Sequence, residues 1–333
     1  MRERSSRVRR ILLLATGDTI AYRPSASAVA SGAELLADAH VAPAGISVED
    51  VLAEPSWDTS PATMLTVARR VRTAIEDQGF SGVVVTHGTD TMTETALLTD
   101  LLAGQAAARG TIVFTGALDS AGSEHDGPRN LAAAVTAAAD PVLRGAGALV
   151  CFAGELHAAR WAALTDTTRP AAFSSWPRAA LGRVGESGVV LTGDVPARPP
   201  LPGEHVETGV ALIRTYPGMS AASLRSAADE GALGVVLEGT GKGNLAVDLF
   251  GTIEELTTWD IPVVLTSRAH FARQWHNGHE GHLAPDAGLA TKVGAIAAPG
   301  LRAEHARVAL MVALGARTSD SAVTTARTWL ATL

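Results

Sequence analysis

At 333 residues, 47% hydrophobic and 18% charged, the chain has an ordinary globular composition and is long enough for two domains. Its net charge is −7 and its basic residues are dispersed, so nothing marks a nucleic-acid surface. A single cysteine, Cys151, excludes a disulfide framework within the chain; in the apolar run GALVCFAG it reads as a small buried hydrophobe rather than a nucleophile.

The opening stretch MRERSSRVRRILLLATG pairs a basic start with an apolar patch of about five residues. That is shorter than the roughly 7–15 of a signal h-region, so it predicts a first strand. No segment approaches the about 18 apolar residues of a membrane span. No membrane association is expected, and the expected location is the cytoplasm.

RRILLLATG, GVVVTHG, TIVFTGA and GALVCFAG follow as continuous apolar runs, the pattern of strands covered on both faces. Between them lie helical patterns. SPATMLTVARRVRTAIEDQG has Ser60 to cap it, Pro61 at the first helical position and Gly79 to stop it; PRNLAAAVTAAAD opens on Pro128. This alternation predicts a parallel α/β sheet with helices on both sides.

The segment DVPARPPLPGEH (Asp194 to His205) interrupts the alternation with four prolines. It divides the chain into an N-terminal domain over 1–195, a linker over 196–207 and a C-terminal domain over 208–333. In the last of these, GVALIRTYP, GVVLEG, IPVVLTSR and KVGAIAAPG read as strands, with helices through SLRSAADEG and LFGTIEELTTW.

One strand ends unusually. GVVVTHGTDTMTETA (Gly82 to Ala96) passes from apolar residues directly to Thr86, His87, Thr89, Asp90, Thr91, Thr93, Glu94 and Thr95 around Gly88. In open parallel sheets ligands bind beyond the carboxyl ends of the strands. TGDT and TGALDS stand at the ends of two other strands, so three loops can converge on one pocket. Helix capping is the competing explanation, because Thr91 and Glu94 have capping-box spacing.

Other motifs carry less. Gly239, Gly241 and Gly243 beside Lys242 form GxGxG, not a nucleotide fingerprint. HFARQWHNGHEGH holds His270, His276, His279 and His282 without metal-ligand spacing, and reads as a solvated loop. No GxSxG elbow occurs.

ATGDTIA (Ala15 to Ala21), PSWD (Pro55 to Asp58), THGTDTMTETA (Thr86 to Ala96), DGPRNL (Asp126 to Leu131) and GTGKGNL (Gly239 to Leu245) occur in that order. Through them the chain resembles the bacterial-type L-asparaginase/glutaminase family over nearly its full length. The resemblance implies a larger N-terminal parallel-sheet domain and a smaller C-terminal α/β domain. It also implies a homotetramer, or at least a homodimer, with sites shared between subunits. The implied activity is hydrolysis of a small-molecule amide through an acyl-enzyme, with no metal and no other cofactor. The family's nucleophile falls on Thr16, its second threonine on Thr89 beside Asp90, and its carboxylate-holding serine on Ser56. Trp57, Gly88 and Ala117 fall in the substrate pocket, and Asn244 at the contact with a neighbouring subunit.

A threonine hydroxyl needs a base or relay within hydrogen-bond reach, and the oxyanion needs donors, which the turn Thr115-Gly116-Ala117 is placed to supply. Here the sequence departs from the family. RWAALT stands where RDVTKT is expected: Arg160 and Thr165 remain, but Trp161 replaces an aspartate and Leu164 the relay lysine. Asp18 replaces the second glycine of TGGTIA, Trp57 a glutamine, and Asp119 an arginine. Leucine can neither move a proton nor balance Asp90. Asp18 is either a substitute base or a solvent-facing residue of a lid. Trp57 either packs beneath its loop as core or offers an apolar platform to a larger amide, blocked or uncharged at its α-nitrogen. Two functions follow: an amidohydrolase with an altered substrate, or a catalytically lapsed relative that binds or regulates.

Overall fold

In the computed structural model the described residues are 10–23, 28–119, 125–195, 197–199, 203–269, 274–276, 279–281, 289–298, 300–317 and 320–333. They form two compact units that divide between Arg198 and Pro199.

The first unit is built on an eight-stranded sheet: β1 (Ile11–Ala15), β2 (Ile46–Asp50), β3 (Gly82–Thr86), β4 (Thr111–Thr115), β5 (Ala148–Phe152), β6 (Glu155–Ala158), β7 (Gly182–Gly185) and β8 (Gly188–Leu191). Their order across the sheet is β8-β7-β6-β5-β4-β3-β1-β2. The five strands β1 to β5 pair in parallel, and β6, β7 and β8 extend the sheet antiparallel. The all-parallel expectation therefore holds for the buried runs, while the far side is an antiparallel meander.

Each central run is buried on both faces because its alternate residues serve two cores. Leu12, Leu14, Val83, Val85, Ile112 and Phe114 pack with Val67, Val71 and Ile75 of α2 (Pro61–Glu76). Leu13, Val84, Val113 and Leu149 pack on the other face with Leu35 and Leu36 of α1 (Gly32–Asp38) and Leu131 of α5 (Gly127–Ala139). Each such side chain contributes about 1.5–3 kcal/mol when buried. Between α2 and α5 the chain forms α3 (Met92–Leu102) and α4 (Ala106–Arg109). As expected, Ser60 caps α2 by accepting from Thr63 N–H at 3.1 Å, with Pro61 first in the helix.

The register fixes where function sits. Ala15 is opposite both Asp50 and Thr86, and Thr86 is opposite Thr115. The loops after β1, β2, β3 and β4 therefore leave the sheet at one edge, side by side.

The second unit has a parallel sheet, β9 (Val210–Arg214), β10 (Gly234–Gly239), β11 (Val263–Ser267) and β12 (Ile296–Ala297), with helices α6 (Ala222–Asp229), α7 (Phe250–Thr258), α8 (Ala303–Gly315) and α9 (Ala322–Leu330). No helix among the described residues is long and apolar enough to cross a membrane.

Candidate active site

Immediately after β1 the chain turns through Gly17 and Asp18, both left-handed, with φ of +87° and +69°. Glycine adopts that conformation without steric cost. Aspartate tolerates it when its short side chain bonds locally: Asp18 Oδ1 accepts from the Thr19 N–H at 2.6 Å and the Thr19 hydroxyl at 3.0 Å. The turn lays Thr16 back on β3. Thr16 is only 5% exposed; its hydroxyl donates to the Thr86 carbonyl at 2.6 Å, and its N–H donates to the Thr86 hydroxyl at 3.3 Å.

The loop after β2 reaches the same place. Ser56, 2% exposed, begins a single 3₁₀ turn (Ser56–Asp58), and its N–H donates to Asp18 Oδ2 at 2.5 Å. Its hydroxyl is buried beside the same carboxylate and makes no hydrogen bond of sound geometry among the described residues. Gly88 closes the group from the β3 loop: a Cβ there would overlap both Asp18 Oδ2 and Ser56 Oγ. That contact explains the glycine at the centre of the hydroxyl-rich loop.

Asp18 is half-buried, and the loss of solvent alone raises its pKa. The N–H groups of Ser56 and Thr19, with their hydroxyls nearby, outweigh that effect and hold the carboxyl below its usual range. Asp18 is thus turned inward onto Thr19 and Ser56 rather than toward solvent, and its carboxylate is a weaker base than a free one. It ties the Thr16–Asp18 turn to Ser56.

Thr91 decides between the two readings of the THGTDT loop. It stands at the N-cap of α3, yet its side chain makes no capping bond. The hydroxyl instead donates to the Ser56 carbonyl at 2.8 Å. The capping-box expectation fails because the hydroxyl is engaged across the site.

His87 lies beneath the loop. Its N–H donates to the Thr115 carbonyl at 2.8 Å, and its ring Nδ1 lies 2.9 Å from the Gly88 carbonyl oxygen. A carbonyl only accepts, so Nδ1 carries the proton. Burial pushes the imidazole pKa down, against the opposing pull of the Gly88 carbonyl and the Asp18 charge. Gly116 permits the close approach of the β4 loop, since a Cβ there would strike the His87 carbonyl.

The buried Ala117 follows in that turn, which the DGPRNL block braces. The Asp126 carboxylate accepts from the Leu118 and Asp119 N–H groups at 3.2 Å, and Asn130 Nδ2 donates to the Gly116 carbonyl at 3.0 Å. In the sequence this block stands out only through the family resemblance. Its signal was an aspartate and an asparagine four residues apart on one helix face.

The remaining expected residues are placed as follows. Thr89 is half-buried and Asp90 exposed, and neither enters the hydrogen-bonded group among the described residues. Trp57 is 67% exposed, so it does not pack beneath its loop as core. Leu164 packs against the core on the α2 face. Trp161 packs against the other core cluster with the Arg178 guanidinium 3.9 Å from its ring centroid. Cys151 is buried, its thiol pushed up to about 12 by loss of solvent, as befits a core residue.

Asn244 belongs to the second unit, where it closes a tight turn with Thr240: Thr240 N–H donates to the Asn244 carbonyl at 2.9 Å and Asn244 N–H to the Thr240 carbonyl at 2.7 Å. Gly241 and Gly243 are left-handed, and a Cβ on Gly239 would lie 2.8 Å from the Gly243 carbonyl carbon, so the glycines serve the turn. The side chains of the histidine run from His270 to His282 lie outside the described residues.

Residues 10–196 match the family model "Asparaginase, N-terminal", and residues 209–326 match "Glutaminase/Asparaginase C-terminal domain". The chain is 32% identical over 321 residues to a probable L-asparaginase of Deinococcus radiodurans, covering 92% of both chains. It is 30% identical over 280 residues to L-asparaginase 2 of Escherichia coli, covering 81% of this chain and 76% of that one. A crystal structure of a probable cytoplasmic L-asparaginase from Campylobacter jejuni superposes with a TM-score of 0.81 at 25% identity, covering 97% of this chain and 99% of that one.

Proposed function

The chain belongs to the asparaginase family, and from that premise we propose that it is an amidohydrolase that uses Thr16 as nucleophile on an amide other than free asparagine. The observation that carries this reading is the enclosed Thr16 hydroxyl, held at 2.6 Å from the Thr86 carbonyl where four strand-end loops meet. A buried hydroxyl aimed by a single backbone bond is positioned for attack but not yet activated.

In the proposed reaction Thr16 Oγ bonds to the amide carbon and its proton is delivered to the leaving nitrogen. The C–N bond breaks to give an ester on Thr16 and free ammonia or amine, and water then hydrolyses the ester. The Leu118 and Asp119 N–H groups are committed to Asp126, so the oxyanion role in that turn falls to Gly116 and Ala117. Trp57 offers an exposed indole beside Ser56, suited to a flat or apolar portion of the substrate. On the family reading the protein acts in the cytoplasm as a homotetramer or homodimer, with Asn244 contacting a second copy.

The second reading, a binding protein without turnover, draws on Leu164, an apolar residue packed against the core that offers no proton carrier. The test is amine release from a panel of N-acylated, aromatic and neutral side-chain amides by wild type and by Thr16→Ala. Release that requires Thr16 supports the enzyme. Saturable binding of the same amides with no release by either form supports the binding protein.

A further inference from the structure

The Asp18 carboxylate occupies a place built for an anion. Oδ2 is met by the Ser56 N–H at 2.5 Å. The buried Ser56 hydroxyl lies against the same carboxylate and helps to hold its charge. The absent side chain of Gly88 makes the room, since any Cβ would overlap Oδ2 and Ser56 Oγ together. A backbone donor, a buried hydroxyl beside it and a glycine-lined recess are the elements of a carboxylate cradle. Here the chain fills it with its own residue, two positions from the Thr16 hydroxyl.

The occupant is held there against conformational preference. Asp18 is left-handed, a conformation that glycine adopts more readily. What aspartate adds over glycine at this position is the carboxylate itself, directed across 38 residues of sequence to Ser56.

We propose that Asp18 is a specificity-determining residue: its carboxylate is a resident tenant of the Ser56–Gly88 cradle and restricts the substrate to amides whose portion nearest that cradle is neutral or cationic. A substrate carboxylate would meet an occupied recess and a like charge at close range, in a partly dehydrated site where screening is weak. The idea deepens the amidohydrolase reading and rests on it for the word substrate. The cradle itself does not depend on turnover.

Two variants separate charge from volume. Asp18→Gly vacates the recess and suits the backbone; Asp18→Asn keeps the volume and removes the charge. Thermal melts are recorded with sodium acetate and with acetamide, at ionic strength held constant by excess sodium chloride. A vacated cradle is expected to bind acetate, giving Asp18→Gly a saturable rise in Tm that neither wild type nor Asp18→Asn shows and that acetamide does not reproduce. Binding of Nα-acetyl-asparagine and Nα-acetyl-asparaginamide is then followed by tryptophan fluorescence. Wild type is expected to favour the neutral member at least about tenfold, a preference that Asp18→Gly loses and Asp18→Asn reduces.

A folded Asp18→Gly whose acetate response equals that of wild type overturns the proposal and leaves Asp18 as a brace of its turn. So does a wild type that binds the anionic member as tightly as the neutral one. Acetate binding by Asp18→Gly in a protein that hydrolyses no amide upholds the cradle while removing the amidohydrolase.

Discussion

The Thr16 hydroxyl donates to the Thr86 carbonyl oxygen at 2.6 Å, so its proton rests on a group that is not a base, and the proposed attack by Thr16 needs another proton acceptor. On the family reading the relay position is filled by Leu164, which is partly buried and packs against the core. Losing an acid–base partner commonly costs about 10²–10⁴ in rate. Hydrolysis of free L-asparagine is accordingly expected at least about a hundredfold below the median enzyme turnover of roughly 10 s⁻¹. Ammonia release from the purified protein measures it. Turnover above about 1 s⁻¹ on asparagine or glutamine would falsify the interpretation of Leu164 as a lost relay.

Leu164→Lys is expected to destabilise the protein by roughly 1–3 kcal/mol, because an ammonium replaces an apolar side chain against the α2-face core. Trp161→Asp is not placed to compensate, since Trp161 packs against the other core cluster and engages Arg178. In denaturant melts the two costs should add to within about 0.5 kcal/mol. A double variant more stable than the sum by over about 1 kcal/mol would show that the introduced charges meet.

Acid sensitivity has a named source in His87. Burial holds its folded-state pKa below the ordinary 6.5, so the unfolded chain binds more protons as pH falls through that value. The stability this neutral imidazole supports is intact above about pH 6.5 and eroded below it, by at most about 1.4 kcal/mol per pH unit for one proton. His87→Gln, which keeps a donor for the Gly88 carbonyl, should lose less stability than wild type between about pH 6.5 and 5. Parallel slopes in the two proteins would move the effect elsewhere.

How far this was legible in the sequence depended on the physics of each segment. Runs such as ILLLA and GVVVT are buried on both faces and announce themselves through composition alone. ISVED in β2 lies at the sheet edge, half-buried or exposed, and carries no such run. β6, β7 and β8 are only four residues each, too short for periodicity to register. α8, AEHARVALMVALG, is buried nearly all round and so lacks the polar stripe that marks a surface helix. At the site, Thr16, Ser56 and Gly88 were legible from motifs. The work of Asp18 and Thr91 was not, because it depends on a left-handed backbone and on contacts 38 and 35 residues away.

Assembly is a further expectation. The family reading gives Asn244 to the pocket of a second copy, and closed symmetry is the default for homo-oligomers. Light scattering at micromolar concentration should return a dimer or tetramer of the 34.2 kDa chain. A monomer would remove Asn244 from any shared site.

The most direct measurement is intact-protein and peptide mass spectrometry after acid quench, across the amide panel. A mass increment equal to the substrate acyl group is expected on the peptide carrying Thr16, and none on Thr16→Ala. Neutral, bulky amides should give the increment in preference to free asparagine. An adduct on another residue, or amine release that persists in Thr16→Ala, would contradict Thr16 as the nucleophile.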